Sequence, residues 1–169
     1  MLSVRIQHEF DCDDDTLWQV CLFDEEYSRR LYLETLRFPV WRLKEQRVTD
    51  TTVVRIVEIQ PLLDDLSAPI RSVVGERFGY IEHGTFDRAS KRYEFKMVPN
   101  VLPEKANITG SMYTERIGDR RVRRVVETRV EVNVFAVGRM IEKRTIDDAK
   151  ASHEKIARFT RKYLAEKLT

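Results

Sequence analysis

Leu2, Val4, Ile6, His8 and Phe10 alternate with Ser3, Arg5, Gln7 and Glu9, the period-two signature of a half-buried strand. The segment runs into Asp11-Cys12-Asp13-Asp14-Asp15-Thr16, whose carboxylates suit the positive end of a helix beginning near Thr16. Leu17, Trp18, Val20, Cys21 and Leu22 form the apolar side of that helix. A second short helix is predicted over 25–36, with Tyr27, Leu31 and Leu36 set against Arg29, Arg30 and Glu34, and Pro39 stops it. Two strands follow, Val40–Val48 and Thr52–Gln60, divided by the turn-forming Thr49-Asp50-Thr51. Val53-Val54-Arg55-Ile56-Val57 is apolar on both parities, which predicts a central strand covered on each face. Residues 77–87 and 91–98 form the next pair across Asp87-Arg88-Ala89-Ser90. Residues 107–117 and 121–134 form the last across Gly118-Asp119-Arg120, where glycine is available for a positive φ. The chain then closes on one long amphipathic helix, about 137–168. Ala149, His153, Ile156, Ala157, Thr160, Tyr163 and Leu164 lie on its inner side, and Lys150, Lys155, Arg158, Arg161, Lys162 and Lys167 largely opposite.

The order β-α-α-β6-α predicts an α+β chain in which a curved antiparallel sheet grips the C-terminal helix and leaves an internal space between them. A length of 169 residues is one domain, 1–169, and 42% hydrophobic content buries a core without disulfides or metals. Lys plus Arg at 30 against Asp plus Glu at 28 leaves a formal charge of +2, too weak a field for nucleic acid to be the main partner. Cys12 and Cys21 have no CxxC or Cys/His spacing and read as reduced thiols. The early charges of the N-terminal segment fit neither a signal peptide nor a membrane span, so a cytoplasmic location is expected.

No catalytic or metal motif is complete. The strand followed by Asp-x-Asp resembles the opening of haloacid dehalogenase-type phosphatases, but Asp14 and Asp15 stand where Gly and Thr should be, and the strand order is antiparallel. A calcium loop lacks its turn glycine and closing glutamate. Helix capping is the better reading of this cluster. His8, His83 and His153 come from three distant elements, and His153 on the packing side of the last helix reads as a core histidine. No metal or cofactor is expected.

Strand parity is more informative. Phe78, Tyr80, Glu82 and Phe86 share a face, as do Tyr93, Phe95 and Met97; Ile108, Met112 and Thr114; and Val122, Arg124, Val126, Thr128, Val130 and Val132. An apolar wall with sparse polar handles suits an amphipathic molecule, whereas a filled core in which Glu82 and Arg124 simply pair is the structural alternative. The ligand-binding candidates are therefore Tyr80, Glu82, Tyr93, Met97, Met112, Arg124, Thr128, His153 and Ile156. Met97, Met112 and Met140 supply adaptable surface. The connector 61–76 is unusually apolar for a loop and contains a short helix after Pro69; Leu62, Leu63, Leu66, Ile70 and Val73 are candidates for a lid over the cavity mouth, or for a plug at one end of the sheet.

Several stretches together with this layout resemble the helix-grip, START-like (SRPBCC) superfamily of lipid-transfer domains and polyketide cyclases. They are His8-Glu9-Phe10; Gly79-Tyr80-Ile81-Glu82-His83-Gly84-Thr85-Phe86-Asp87 leading into Lys91 and Asn100; Gly138-Arg139-Met140-Ile141-Glu142-Lys143; and Thr160-Arg161-Lys162-Tyr163-Leu164-Ala165-Glu166. Within that superfamily the chain is most similar to a bacterial branch that looks like PRELI-type phospholipid-transfer domains. The resemblance implies a cavity roofed by the last helix, a mobile connector at its mouth, and a lipid-like ligand carried without chemistry. It carries no family site residue across. The leading expectation is a non-enzymatic carrier or sensor of a hydrophobic or lipid-like small molecule. The alternatives are a cyclase- or hydrolase-like enzyme, using groups such as Tyr80, Glu82, His83 and Arg124 on a polyketide-like substrate, and a protein-interaction module with a vestigial cavity. Arg158, Arg161, Lys162 and Lys167 suggest weak contact with an anionic membrane surface.

Overall fold

The computed structural model describes residues 1–168. The elements are β1 (Leu2–Phe10), α1 (Asp14–Phe23), α2 (Glu25–Ser28) with a π-helical continuation (Arg29–Thr35), β2 (Val40–Val48), β3 (Thr52–Gln60), α3 (Ala68–Val74), β4 (Tyr80–Asp87), β5 (Arg92–Pro99), β6 (Ala106–Gly118), β7 (Arg121–Val132) and α4 (Gly138–Lys167). One antiparallel sheet of seven strands runs in the order β1-β7-β6-β5-β4-β3-β2. Six successive strands form the meander, and β1 joins it beside β7.

The acidic cluster acts locally. The Asp13 carboxylate accepts from the Thr16 amide at 2.7 Å and caps α1, which starts at Asp14, earlier than Thr16. Asp14 and Asp15 both hold Lys91, at 2.7 and 2.9 Å. The second predicted helix is split: after one α-turn the amides of Leu36 and Phe38 bond back to Leu31 and Tyr32 carbonyls, a widened register that turns Tyr32 toward the sheet. Two expectations change. The strand β3 lies next to the edge strand β2 rather than centrally, and only Val53, Arg55, Val57 and Ile59 on one side are buried. Positive φ angles fall on Lys91 in the β4–β5 loop and on Ala136 before α4, and Gly118 has none.

The outer face of the sheet is laced with ion pairs such as Glu9 with Arg121 and Arg123, and Arg5 with Glu127. The apolar residues of the other face form three separate clusters. Phe10, Leu17, Tyr27, Leu31, Val122, Phe159 and Tyr163 bring together β1, β7, α1, α2 and the C-terminal half of α4. Trp18 and Leu22 of α1 pack on Val53, Phe86 and Tyr93. Ile146, in the N-terminal half of α4, packs on Ile108 and Val130. The corner between β7 and α4 is fixed by buried Glu142, whose carboxylate accepts the Val132 amide at 2.9 Å and is thereby held below the usual carboxylate range. The inner side of α4 is therefore anchored at both ends. Between Ile146 and Ala157, roughly 16 Å of helix at 1.5 Å per residue, its Ala149, Ser152, His153 and Ile156 are only half-buried or exposed.

Candidate functional site

Register decides which side chains meet under α4. Across the sheet Val57, Glu82, Met97, Ile108 and Val130 are mutually opposed in one row, and Arg55, Gly84, Phe95, Gly110, Thr128 and Val4 in the next. A further row is Val53, Phe86, Tyr93, Met112, Val126 and Ile6. Arg124 stands between His8 and Thr114. Tyr80, Glu82, Tyr93, Met97, Met112, Arg124 and Thr128 thus share the concave face, which His153 and Ile156 approach from α4. His83 has the opposite parity and is exposed on the convex face, so it takes no part. Met140 is 41% exposed outside this region.

The two glycines of the second row shape its floor. A Cβ on Gly84 would lie 1.8 Å from the Tyr93 hydroxyl, and one on Gly110 2.4 Å from the Phe95 ring. With no side chain there, the aromatic rings of β5 lean across their neighbours, and the Tyr93 hydroxyl donates to Glu82 at 2.8 Å. Burial pushes the Glu82 carboxyl up, against the opposing pull of that bond and of the Arg55 charge. Burial and then Glu82 raise Tyr80 and Tyr93. Burial, followed by the charges of Arg124 and His8, brings His153 down to about 3, so its imidazole is neutral at ordinary pH.

Two arginines dominate the polar inventory. Arg55 and Arg124 are 7% and 3% exposed, and among the described residues neither forms an ion pair. The Arg124 guanidinium lies 5.0 Å over the Phe10 ring, yet its Nε and Nη2 have no acceptor, nor does the Nε of Arg55. The Nδ1 of His153 and Oε1 of Gln46, also buried, are likewise unpartnered. Glu82 and Arg124 do not pair as a filled core would require. Burial and then the Glu82 charge raise the half-buried Tyr32 phenol, against the pull of Arg55 and Arg124. His8, 8% exposed, instead bonds Glu154 at 2.8 Å. Cys21 and Cys12 are free thiols, and burial pushes both up, away from nucleophilic behaviour. No group of three metal-ligating side chains occurs among the described residues.

At the end of the sheet where β3 gives way to β4, Tyr32 stacks on Trp41 at 4.9 Å between centroids. Beside this end the connector lines a cleft of about 280 Å³ with Pro39, Phe78, Leu62, Leu63 and Leu66. Of the lid candidates Leu62 is 44% exposed, Leu63, Leu66 and Val73 are half-buried, and Ile70 is buried. Arg144 of α4 donates to the carbonyls of Asp64 and Asp65 at 2.6 and 3.2 Å while paired with Asp148.

Arg55, Gly84, Gly110 and Tyr32 are not among the ligand-binding candidates read from the sequence, and neither is His8, although the alternation of β1 puts it on the buried parity. Arg55 had a signal: it is the one charge inside the apolar run 53–57, on the parity of Val53 and Val57.

A family model described as "Protein of unknown function (DUF2505)" matches residues 5–164. The chain belongs to this family. Comparison with curated proteins gives no match. Among solved structures, the DUF2505 chain is similar to TTHA0849 from Thermus thermophilus, with a TM-score of 0.68 and 11% identity over 99% of this chain and 100% of that one. The Zhui aromatase/cyclase from Streptomyces sp. R1128 gives 0.63 and 10% over 96% and 95%. A START superfamily protein from Mycobacterium smegmatis gives 0.59 and 14% over 99% of both. At such identities the likeness concerns the fold, which is the START-like helix-grip fold. No helix among the described residues is long and apolar enough to cross a membrane.

Proposed function

We propose that this DUF2505 protein is a non-enzymatic carrier or sensor that encloses a lipid-like small molecule in a hollow between the concave face and the middle of α4. The observation that carries this reading is the set of buried, unpartnered polar atoms on Arg55, Arg124, His153 and Gln46, set amid three separate apolar clusters. Orphaned donors and acceptors are costly in a dry filled core and ordinary in a site that receives a ligand or water. The partial exposure of Tyr80, Glu82, Phe95, Met97 and Met112, all on the inner face, supports the same reading. The test is native mass spectrometry and lipid extraction of protein purified from its own host, with a fluorescent fatty-acid titration. A copurifying amphiphile and saturable binding are expected; neither appearing ends the proposal.

A second reading has one favouring observation. Glu82, pushed toward its neutral form and held by Tyr93, could donate a proton to a bound carbonyl compound, as a cyclase-like enzyme requires. Turnover of polyketide-like substrates abolished in E82Q would support it, and turnover indifferent to that change would remove it. For membrane contact, Arg161 is engaged with the Glu9 carbonyl and Lys167 lies near Glu26, which leaves Arg158 and Lys162 of the four candidate cations to meet an anionic bilayer. Liposome cosedimentation that fades with salt and with R158E/K162E tests this.

A further inference from the structure

We propose that the enclosed molecule is an anionic amphiphile whose head, a carboxylate or phosphomonoester, is received jointly by Arg55 and Arg124. The proposal rests on the carrier reading and names the class of its ligand. The two guanidinium groups come from strands near opposite ends of the sheet order, β3 and β7, and both point inward. Both charges act on Tyr32 and on Cys21, which supports one receiving region. Among the described residues only one carboxyl, Glu82, belongs to that region; the Arg55 charge acts on it, but its hydrogen bond is taken from Tyr93 and not from an arginine. A guanidinium cannot relieve its burial by losing its proton. The concave face therefore holds two fixed positive charges, of which the Nε of Arg55 and the Nε and Nη2 of Arg124 have no acceptor, and an unpaired buried charge is among the costliest things a fold can keep.

Ligand chemistries separate on this point. A neutral lipid's hydroxyl or ester oxygen would accept a hydrogen bond but leave both charges uncompensated, and an amine would add repulsion. A carboxylate or phosphate supplies the charge-assisted, two-point acceptor that a guanidinium fork fits. The half-buried Phe95, Met97 and Met112 and the α4 residue Ile156 then line the space for an alkyl or aromatic body, with Trp41 and the connector at the open end.

The experiment uses the full chain stripped of copurifying lipid and follows tryptophan fluorescence, since Trp41 is on the inner face. Dodecanoate, dodecyl phosphate and dodecanol are titrated separately, at low and high salt. At least one of the two anions is expected to bind about tenfold or more tighter than the alcohol, with the preference surviving high salt, as burial of the charges requires. The ratio of the two anions tells a carboxylate site from a phosphate site. R55Q and R124Q should each cut the anion-to-alcohol affinity ratio several-fold, and R124K should restore part of it. If R124Q fails to fold by circular dichroism, R55Q decides. Equal binding of all three compounds, or a preference untouched by R55Q, overturns the anion assignment and leaves the carrier reading standing; no binding of any of them overturns both.

Discussion

Glu82 and His153 face the same interior and titrate in opposite senses, which makes their contributions separable. The folded carboxyl of Glu82 is raised from its ordinary value near 4.5 by burial, so the stability it lends is complete below that value and is lost as pH rises toward the folded value. E82Q keeps an acceptor for Tyr93 and removes the ionisation, so its stability relative to wild type should improve as pH rises above about 4.5 and then level off. His153 is depressed from 6.5 to about 3, so its contribution is complete above 6.5 and drains away as pH falls. H153Q should flatten the acid side of the curve, by at most about 1.4 kcal/mol per pH unit across that window. Urea denaturation at a series of pH values checks both; parallel curves for wild type and either variant would sink the corresponding assignment. Gly84 offers a steric test at the same place. An added methyl meets the Tyr93 hydroxyl, so G84A should cost about 1–3 kcal/mol and break the bond to Glu82, whereas Y93F loses that bond alone.

At the scale of elements, the connector around α3 owes its position to few tethers. Buried Ile70 anchors its helix, and the Arg144 guanidinium clamps the carbonyls of Asp64 and Asp65 to α4. R144A should free the 61–66 segment at a cost of about 1 kcal/mol, seen as faster hydrogen exchange and proteolysis there with little change in the strands; unchanged protection would mean the apolar contacts hold it alone. The strands themselves were legible in the sequence because period-two alternation survives wherever one face is solvated, as in 2–10 and 121–132. Parity then put Glu82, Met97 and Arg124 on one face, as the register does. The position of β3 was misread because Val54 and Ile56 are apolar on an outer face that is only half-covered, so composition suggested two buried faces where there is one. That reading also hid Arg55. The inward tilt of Tyr32 depends on a widened helical turn, and the roles of Gly84 and Gly110 on rings from a neighbouring strand, and no local pattern announces either.

For the molecule as a whole, the apolar contacts are divided into three clusters and α4 is anchored at its two ends; on the proposed carrier reading, the interior between them is held open by the frame rather than by its own packing. Two inward arginines raise the free energy of the empty state, because among the described residues neither has an ion-pair partner and the Nε of Arg55 and the Nε and Nη2 of Arg124 have no acceptor. On the carrier reading, a ligand that binds only the folded chain is then a large part of its stability. At a free concentration a hundred times the dissociation constant, the linkage amounts to about 2.7 kcal/mol, and for a domain of this size each kcal/mol moves the melting temperature by roughly 2–4 °C. Protein as purified from its host should consequently melt about 5–10 °C above the same protein after lipid removal, and adding back the extracted fraction should restore the difference. R55Q would shrink that gap from both sides: the stripped protein gains because one unpaired buried charge is gone, and the loaded protein loses one of the groups that holds the head. A stripped protein that melts where the native one does would mean that water already satisfies the arginines, and that the frame is stable with nothing inside.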